Sequence, residues 1–254
     1  MPDAPLDTTL FDLDLPTFQL EAGARLPHHR VRGWWWGSAV DRGWIEARAQ
    51  VLPRDTVVGP GTVIRRGTGD MPPPPAVWPP RDDAPKPDGE IPTVLVVHAL
   101  TGDARAGGPD GWWAPLIGPD TPLAPARYRV LCFNNLGSCY GSTGPMDAGF
   151  PHREDDERFP APKLAGKGAH VLPEQRLPAT LTTWDQARSI LLALDTLGID
   201  RVHLVTGGSV GGMIVLCLAA LAPERFERVA PIATAEAAIR RGERLPVNVF
   251  IGGA

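Results

Sequence analysis

The chain has 254 residues, of which 43% are hydrophobic and 21% charged, enough apolar material for a core and a length suited to one large domain or two small ones. Its 28 Gly and 29 Pro fall just short of the roughly 25–30% combined content at which composition alone argues for disorder. A formal charge of −4, from 29 acids and 25 bases, leaves no basic field to hold a nucleic-acid backbone or an anionic membrane, so neither partner is expected.

The start, Met1-Pro2-Asp3-Ala4-Pro5-Leu6-Asp7, is acidic and Pro-broken where a secretory signal is basic and then apolar. The longest apolar run, Met213 to Ala222, is too short to span a bilayer, and the expected location is cytoplasmic. Cys132, Cys139 and Cys217 are an odd set without metal-ligand spacing, which fits reduced thiols, and no metal site is expected.

In chain order, residues 1–36 read as N-terminal strands. From Gly37 to Pro92 come Val58-Gly59-Pro60-Gly61, Met71-Pro72-Pro73-Pro74-Pro75 and Trp78-Pro79-Pro80, which helices and central strands cannot carry. This stretch is expected to be a long loop or insertion, with Thr62-Val63-Ile64 as at most a short edge strand. Thr93 to Val97 is apolar enough throughout for a strand covered on both faces of a parallel sheet. Tyr128 to Phe133, Val202 to Val205 and Val229 to Ile232 are further strand candidates, and an irregular, charged stretch fills Gly144 to Pro178.

A helix is predicted before the third of these strands. Thr182-x-x-Asp185 and Thr183-x-x-Gln186 resemble capping boxes, Trp184, Ala187, Ile190, Leu191, Leu194 and Leu197 recur at helical spacing, and Gly198 is a natural stop. A second helix is predicted over Met213–Ala222, with Pro223 just past its end. Strands alternating with helices argue for an α/β doubly wound sheet with right-handed crossovers.

The segment Val205-Thr206-Gly207-Gly208-Ser209-Val210-Gly211-Gly212-Met213 places Gly-x-Ser-x-Gly between a predicted strand and a predicted helix. That is the setting of a nucleophile elbow, in which small neighbours let the backbone turn sharply and present the Ser209 hydroxyl at a helix N-terminus. A phosphate-binding turn is the rival, but no Lys-Ser/Thr follows and Gly-x-Gly-x-x-Gly spacing is not met. An oxyanion hole for such a nucleophile would take one backbone N–H from Leu100, in the loop after the strand ending at Val97, and one from Val210. His98 reads as a structural residue closing that strand rather than as a proton shuttle. The loop from Asn134 to Pro145 follows the next strand and suits either a substrate wall or an ordinary flexible turn.

Taken together, His98-Ala99-Leu100-Thr101-Gly102-Asp103, Gly111-Trp112-Trp113 with Ile117-Gly118-Pro119, Asn134 through Pro145, Gly207 through Met213 and Val229 through Thr234 resemble the homoserine O-acetyltransferase family. The resemblance covers roughly residues 92–145 and 178–236. It implies an α/β-hydrolase fold, a mostly parallel sheet with flanking helices, and transfer of an acetyl or succinyl group from acyl-CoA to the homoserine hydroxyl, an entry step of methionine biosynthesis. Ser209 would be the acyl-accepting nucleophile, Leu100 and Val210 the oxyanion donors, and acetyl-CoA or succinyl-CoA a co-substrate rather than a permanently bound cofactor. Homoserine and acyl-CoA would be the partners, in a family usually homodimeric through its lid helices.

The chain departs from that pattern after the elbow. In this fold the triad runs Ser, then Asp or Glu, then His, yet His28, His29, His98, His152, His170 and His203 all precede Ser209, and only Glu224, Glu227, Glu236 and Glu243 follow as carboxylates. The expected architecture is thus a single partial domain over 1–254, with 37–92 an insertion, 93–236 the core, 237–254 an atypical tail, and the C-terminal strands and lid missing. Arg240 and Arg241 read as part of a solvated tail. The chain is expected to be inactive in isolation, as a gene fragment or frame-shifted product, one part of a split enzyme, or a short protein that keeps the front half of the fold for binding. A serine hydrolase, an acyltransferase for another hydroxyl acceptor such as serine, and a non-catalytic binding module are the alternative functions.

Overall fold

The N-terminal residues are consumed by an antiparallel pair. In the computed structural model, which describes residues 6–53, 56, 91–151 and 181–234, β1 (Leu6–Leu15) leads through a two-stranded pair, β2 (Phe18–Gln19) and β3 (Arg25–Leu26), into β4 (His29–Ser38). β1 and β4 pair from Leu6 opposite Ser38 to Leu15 opposite His29. That register sets Asp12 opposite Arg32, where both side chains are buried and joined by two hydrogen bonds of 2.7 and 2.8 Å.

The stretch expected to be irregular from Gly37 is regular at its start. β4 continues to Ser38, a 3-10 turn (Ala39–Asp41) and α1 (Arg42–Glu46) follow, and β5 (Gln50–Val51) pairs with β1. The Pro and Gly clusters begin only beyond this point. The possible strand at Thr62-Val63-Ile64 and most of the 144–178 stretch lie outside the described residues. Asp41 anchors the short α1 region by a two-pronged ion pair to Arg129, whose guanidinium stacks 3.8 Å over the Trp44 ring.

The central strands come where the apolar runs predict them. β6 (Thr93–Val97) and β7 (Arg129–Phe133) are buried at every position and pair in parallel. Alternation divides their side chains between two cores: Leu95, Val97, Leu131 and Phe133 join one, Val94, Val96, Val130 and Cys132 the other. α2 (Thr183–Thr196) packs on the first core. Of its two candidate caps the structure uses Thr182 with Asp185, because the Asp185 carboxylate also accepts from the Glu21 backbone and so ties the helix start to the β2 region. Gly198, at φ +69°, ends the helix as expected.

β8 (Leu204–Gly208), α3 (Val210–Leu221) and β9 (Val229–Ile232) complete the described fold. The helix begins three residues earlier than its apolar run suggests. The seven-stranded sheet has the order β5-β1-β4-β7-β6-β8-β9, antiparallel on the β1 side and parallel from β7 to β9. α2 and α3 cover the face that carries Leu95 and Val205, while the loops between β6 and β7 cover the other. Among the described residues the sheet ends at β9, where Val229 and Ile232 are exposed.

Candidate functional site

In an open parallel sheet the loops beyond the strand C-termini share one end of the molecule. Here β6, β7 and β8 deliver three segments to that end: 98–104, 134–144 and the β8–α3 junction.

Two glycines decide how closely the junction approaches. A Cβ on Gly207 would come within 2.6 Å of the Val97 carbonyl oxygen, and one on Gly211 within 2.3 Å of the same atom and 2.8 Å of the His98 oxygen. Only glycine lets the start of α3 rest directly on the end of β6. A Cβ on Gly212 would meet Thr234 at 2.8 Å, which seats the same turn against the residue just after β9.

Ser209 stands between β8 and α3 with φ 54° and ψ −120°, a conformation costly for any residue bearing a Cβ. Its backbone is pinned on both sides: the amide donates to Ile232 O at 3.0 Å and the carbonyl accepts from Met213 N at 3.1 Å. The residue is exposed and its hydroxyl makes no cap bond to the helix, so Oγ stands free at the positive end of the α3 dipole. Val210 is the first residue of α3, where the helix supplies its amide with no acceptor. Leu100 is a central residue of the turn closed by Gly102 N to Ala99 O at 3.0 Å, and its side chain is 38% exposed. Sequence reasoning named these three residues, and all three lie on segments that meet at the Val97–His98 carbonyls.

His98 is buried and committed at both ring nitrogens. Nδ1 lies 2.7 Å from Ala99 O, and Nε2 accepts from the Asn135 amide at 3.0 Å. Burial pushes its pKa below the ordinary histidine value, against smaller opposing effects of the Ala99 carbonyl and Asp103. It is therefore a neutral structural ring, as expected. The other described histidines with resolved partners are also engaged elsewhere: His29 with Ser189 at 2.8 Å and His203 with Glu227 at 3.0 Å. His152, His170, Glu236, Glu243, Arg240 and Arg241 lie outside the described residues.

The polar side chains of the 134–144 loop mostly hold the loop itself. Asn134 Oδ1 accepts from Ala104 N at 2.7 Å and its Nδ2 donates to Tyr140 O at 3.0 Å. Ser142 Oγ donates to Asn134 O at 2.6 Å and accepts from Arg32 N at 3.0 Å. Cys139 and Tyr140 are the half-buried side chains left facing outward, and burial raises the Cys139 thiol above its usual range, which makes it a poor nucleophile. All three cysteines are free thiols. Among the described residues no cluster of three His, Cys, Asp or Glu is placed to hold a metal, and no helix is long and apolar enough to cross a membrane.

What sequence reasoning missed is the lacing of the 98–104 and 134–144 loops by His98, Asn134 and Asn135. The signal, polar residues directly after two all-apolar strands, was visible, but not which atoms they would meet.

The comparisons with known proteins agree with this fold. The chain is 39% identical over 155 residues to a homoserine O-acetyltransferase of Haloarcula marismortui, covering 56% of this chain and 33% of that protein. It is 40% identical over 152 residues to one of Moorella thermoacetica, covering 56% and 35%. The chain thus spans about a third of the length of the curated relatives it matches. Among solved structures, a homoserine O-acetyltransferase from Staphylococcus aureus superposes with a TM-score of 0.53 at 22% identity, over 93% of this chain and 51% of that one. Esterase E22 does so with 0.52 at 17%, over 89% and 47%, and at these identities both likenesses speak for the fold alone. Residues 92–248 match the α/β hydrolase fold family, and the chain belongs to it.

Proposed function

We propose that the chain carries the acyl-accepting part of a homoserine O-acetyltransferase-type site, with Ser209 as nucleophile and the Leu100 and Val210 amides as oxyanion donors. The observation that carries the reading is the Ser209 backbone at φ 54° and ψ −120°, held at the junction of a strand and a helix with its hydroxyl free. Such strain is maintained by surrounding structure where a side chain must be presented rather than packed. The names of the relatives at 39–40% identity support the choice of substrate class.

In the first step Ser209 Oγ attacks the thioester carbonyl of acyl-CoA. The Oγ–C bond forms, the C–S bond breaks, and the serine proton passes by way of a base to the departing thiolate. In the second step the homoserine hydroxyl attacks the acyl-serine, loses its proton and restores the Ser209 hydroxyl. Both steps place negative charge on the carbonyl oxygen, where the two amides and the α3 dipole act. His29, His98 and His203 are each committed to other partners. With those rings committed, Ser209 should acylate slowly and turn over poorly.

The test is incubation of the full chain with acetyl-CoA, read by intact mass. An acetyl adduct lost in Ser209→Ala supports the reading, and an adduct unchanged by that substitution removes Ser209 from the mechanism. Discharge of the adduct by homoserine in preference to water marks a transferase, whereas equal discharge by water marks an esterase. Absence of any adduct from acetyl-CoA and from a fluorophosphonate would leave a non-catalytic module.

A further inference from the structure

The Leu100 amide shares its peptide group with the Ala99 carbonyl. A trans peptide is planar and its C=O and N–H point in opposite directions, so whatever holds the carbonyl also aims the amide. Two donors converge on Ala99 O: His98 Nδ1 at 2.7 Å and Gly102 N at 3.0 Å. The turn holds the carbonyl by one hydrogen bond and Leu100 is more than a third exposed, so the ring supplies a second hold on the plane.

The ring that grips the carbonyl is itself gripped. The Asn135 amide donates to His98 Nε2 at 3.0 Å, and Asn135 Nδ2 donates to His98 O at 3.2 Å. A carbonyl can only accept and a backbone amide can only donate, so the two partners together require the neutral ring with its proton on Nδ1. Gly102 completes the fit, since a Cβ there would press to 3.3 Å from His98 Cβ and 3.4 Å from Ala99 O.

We infer that His98 is a positioning residue that locks the Ala99–Leu100 peptide plane, anchoring the oxyanion loop of β6 to the loop after β7. The purpose of the lock rests on the acyl-transfer reading above; its existence does not. Asp103 in the same loop is the titratable group that acts on the ring, and Cys132 on β7 meets the His98 backbone. A second proton, at Nε2, would set N–H against the Asn135 N–H and release the clasp. Burial opposes that proton, so the lock holds at neutral pH.

The experiment uses the full chain, with His98→Ala and His98→Asn, and three readouts: side-chain ¹⁵N NMR of His98, the rate of Ser209 acetylation by p-nitrophenyl acetate, and thermal melting. The wild type should show the neutral Nδ1–H ring. His98→Ala should acetylate about 100-fold more slowly, the effect of removing one oxyanion donor, with the loss in the maximal rate and not in the half-saturating ester concentration. His98→Asn places an amide nitrogen where Nδ1 stood and should stay within about tenfold of wild type. An Nε2–H ring in the wild type, or wild-type acetylation by a folded His98→Ala, overturns the lock. Should His98→Ala fail to fold, a folded His98→Asn as slow as about 100-fold below wild type does the same. If the wild type is not acetylated at all, the functional reading fails and the ring proton alone decides for or against the lock.

Discussion

Along one margin of the sheet, β1 and β4 pair through ten residues each, β5 guards the outer side, and a buried Asp12–Arg32 pair and a half-buried Asp41–Arg129 pair brace it. Along the other, β9 offers four residues, Val229 and Ile232 exposed and Ala230 and Pro231 half-buried, and nothing among the described residues pairs with its outer edge. The proposed nucleophile sits on the lightly built side, with Ser209 hung from the Ile232 carbonyl. The robust margin supplies a platform, and the β8–α3–β9 margin spends backbone strain to present one hydroxyl.

If that contrast is right, the largest losses of stability come from the β1–β4 side. Asp12→Ala leaves the buried Arg32 guanidinium without its carboxylate and should cost about 3–5 kcal/mol in a urea melt. Acid should attack the same margin. Burial lowers the His29 pKa to about 3, so the folded ring stays neutral while the unfolded one protonates below its ordinary 6.5. Stability is therefore full above pH 6.5 and falls between there and about 3, by roughly 1.4 kcal/mol per pH unit. Chemical denaturation across this range should show that slope, flattened in His29→Gln.

On the Ser209 side the expected signs differ. Ser209→Gly relieves a conformation unsuited to a Cβ and should raise stability by about 1 kcal/mol while abolishing acetyl-adduct formation. A melt lowered by that substitution would break the contrast. Thr182→Ala removes the α2 cap, which leans on the β2 region, and should cost about 1 kcal/mol. The smallest effect is expected at the open edge: Val229→Lys should leave the melting temperature within the shift of about 0.5 kcal/mol, yet reduce light scattering at high protein concentration by blunting the edge.

The parts legible in the sequence are those governed by local rules. The all-apolar run at Thr93–Val97 gave a central strand, Thr182 and Asp185 gave a cap, and the glycines around Ser209 gave the tight strand-to-helix turn. The start of α3 was misplaced for an instructive reason: Gly211 and Gly212 look like helix breakers, but contacts with Val97, His98 and Thr234 demand them inside the first turn. β5 was hidden because its two residues pair with Phe11 and Asp12, some 40 positions away, and so owe nothing to local propensity. The clasp of His98 on Ala99 and Asn135 was illegible for the same reason. Its partners meet only when β6 and β7 come to lie side by side.

One consequence of the glycine contacts concerns how the site can drift. The two amides proposed as oxyanion donors belong to the backbone, so position 100 should accept any residue that keeps an N–H, proline alone excepted. Gly207 and Gly211 carry no side chain toward a substrate, yet they should tolerate no replacement, because the first added atom strikes the Val97 carbonyl. Saturation mutagenesis would then draw an inverted map, permissive at the mouth of the site and forbidding directly beneath it, leaving freedom to retune what enters without disturbing what reacts.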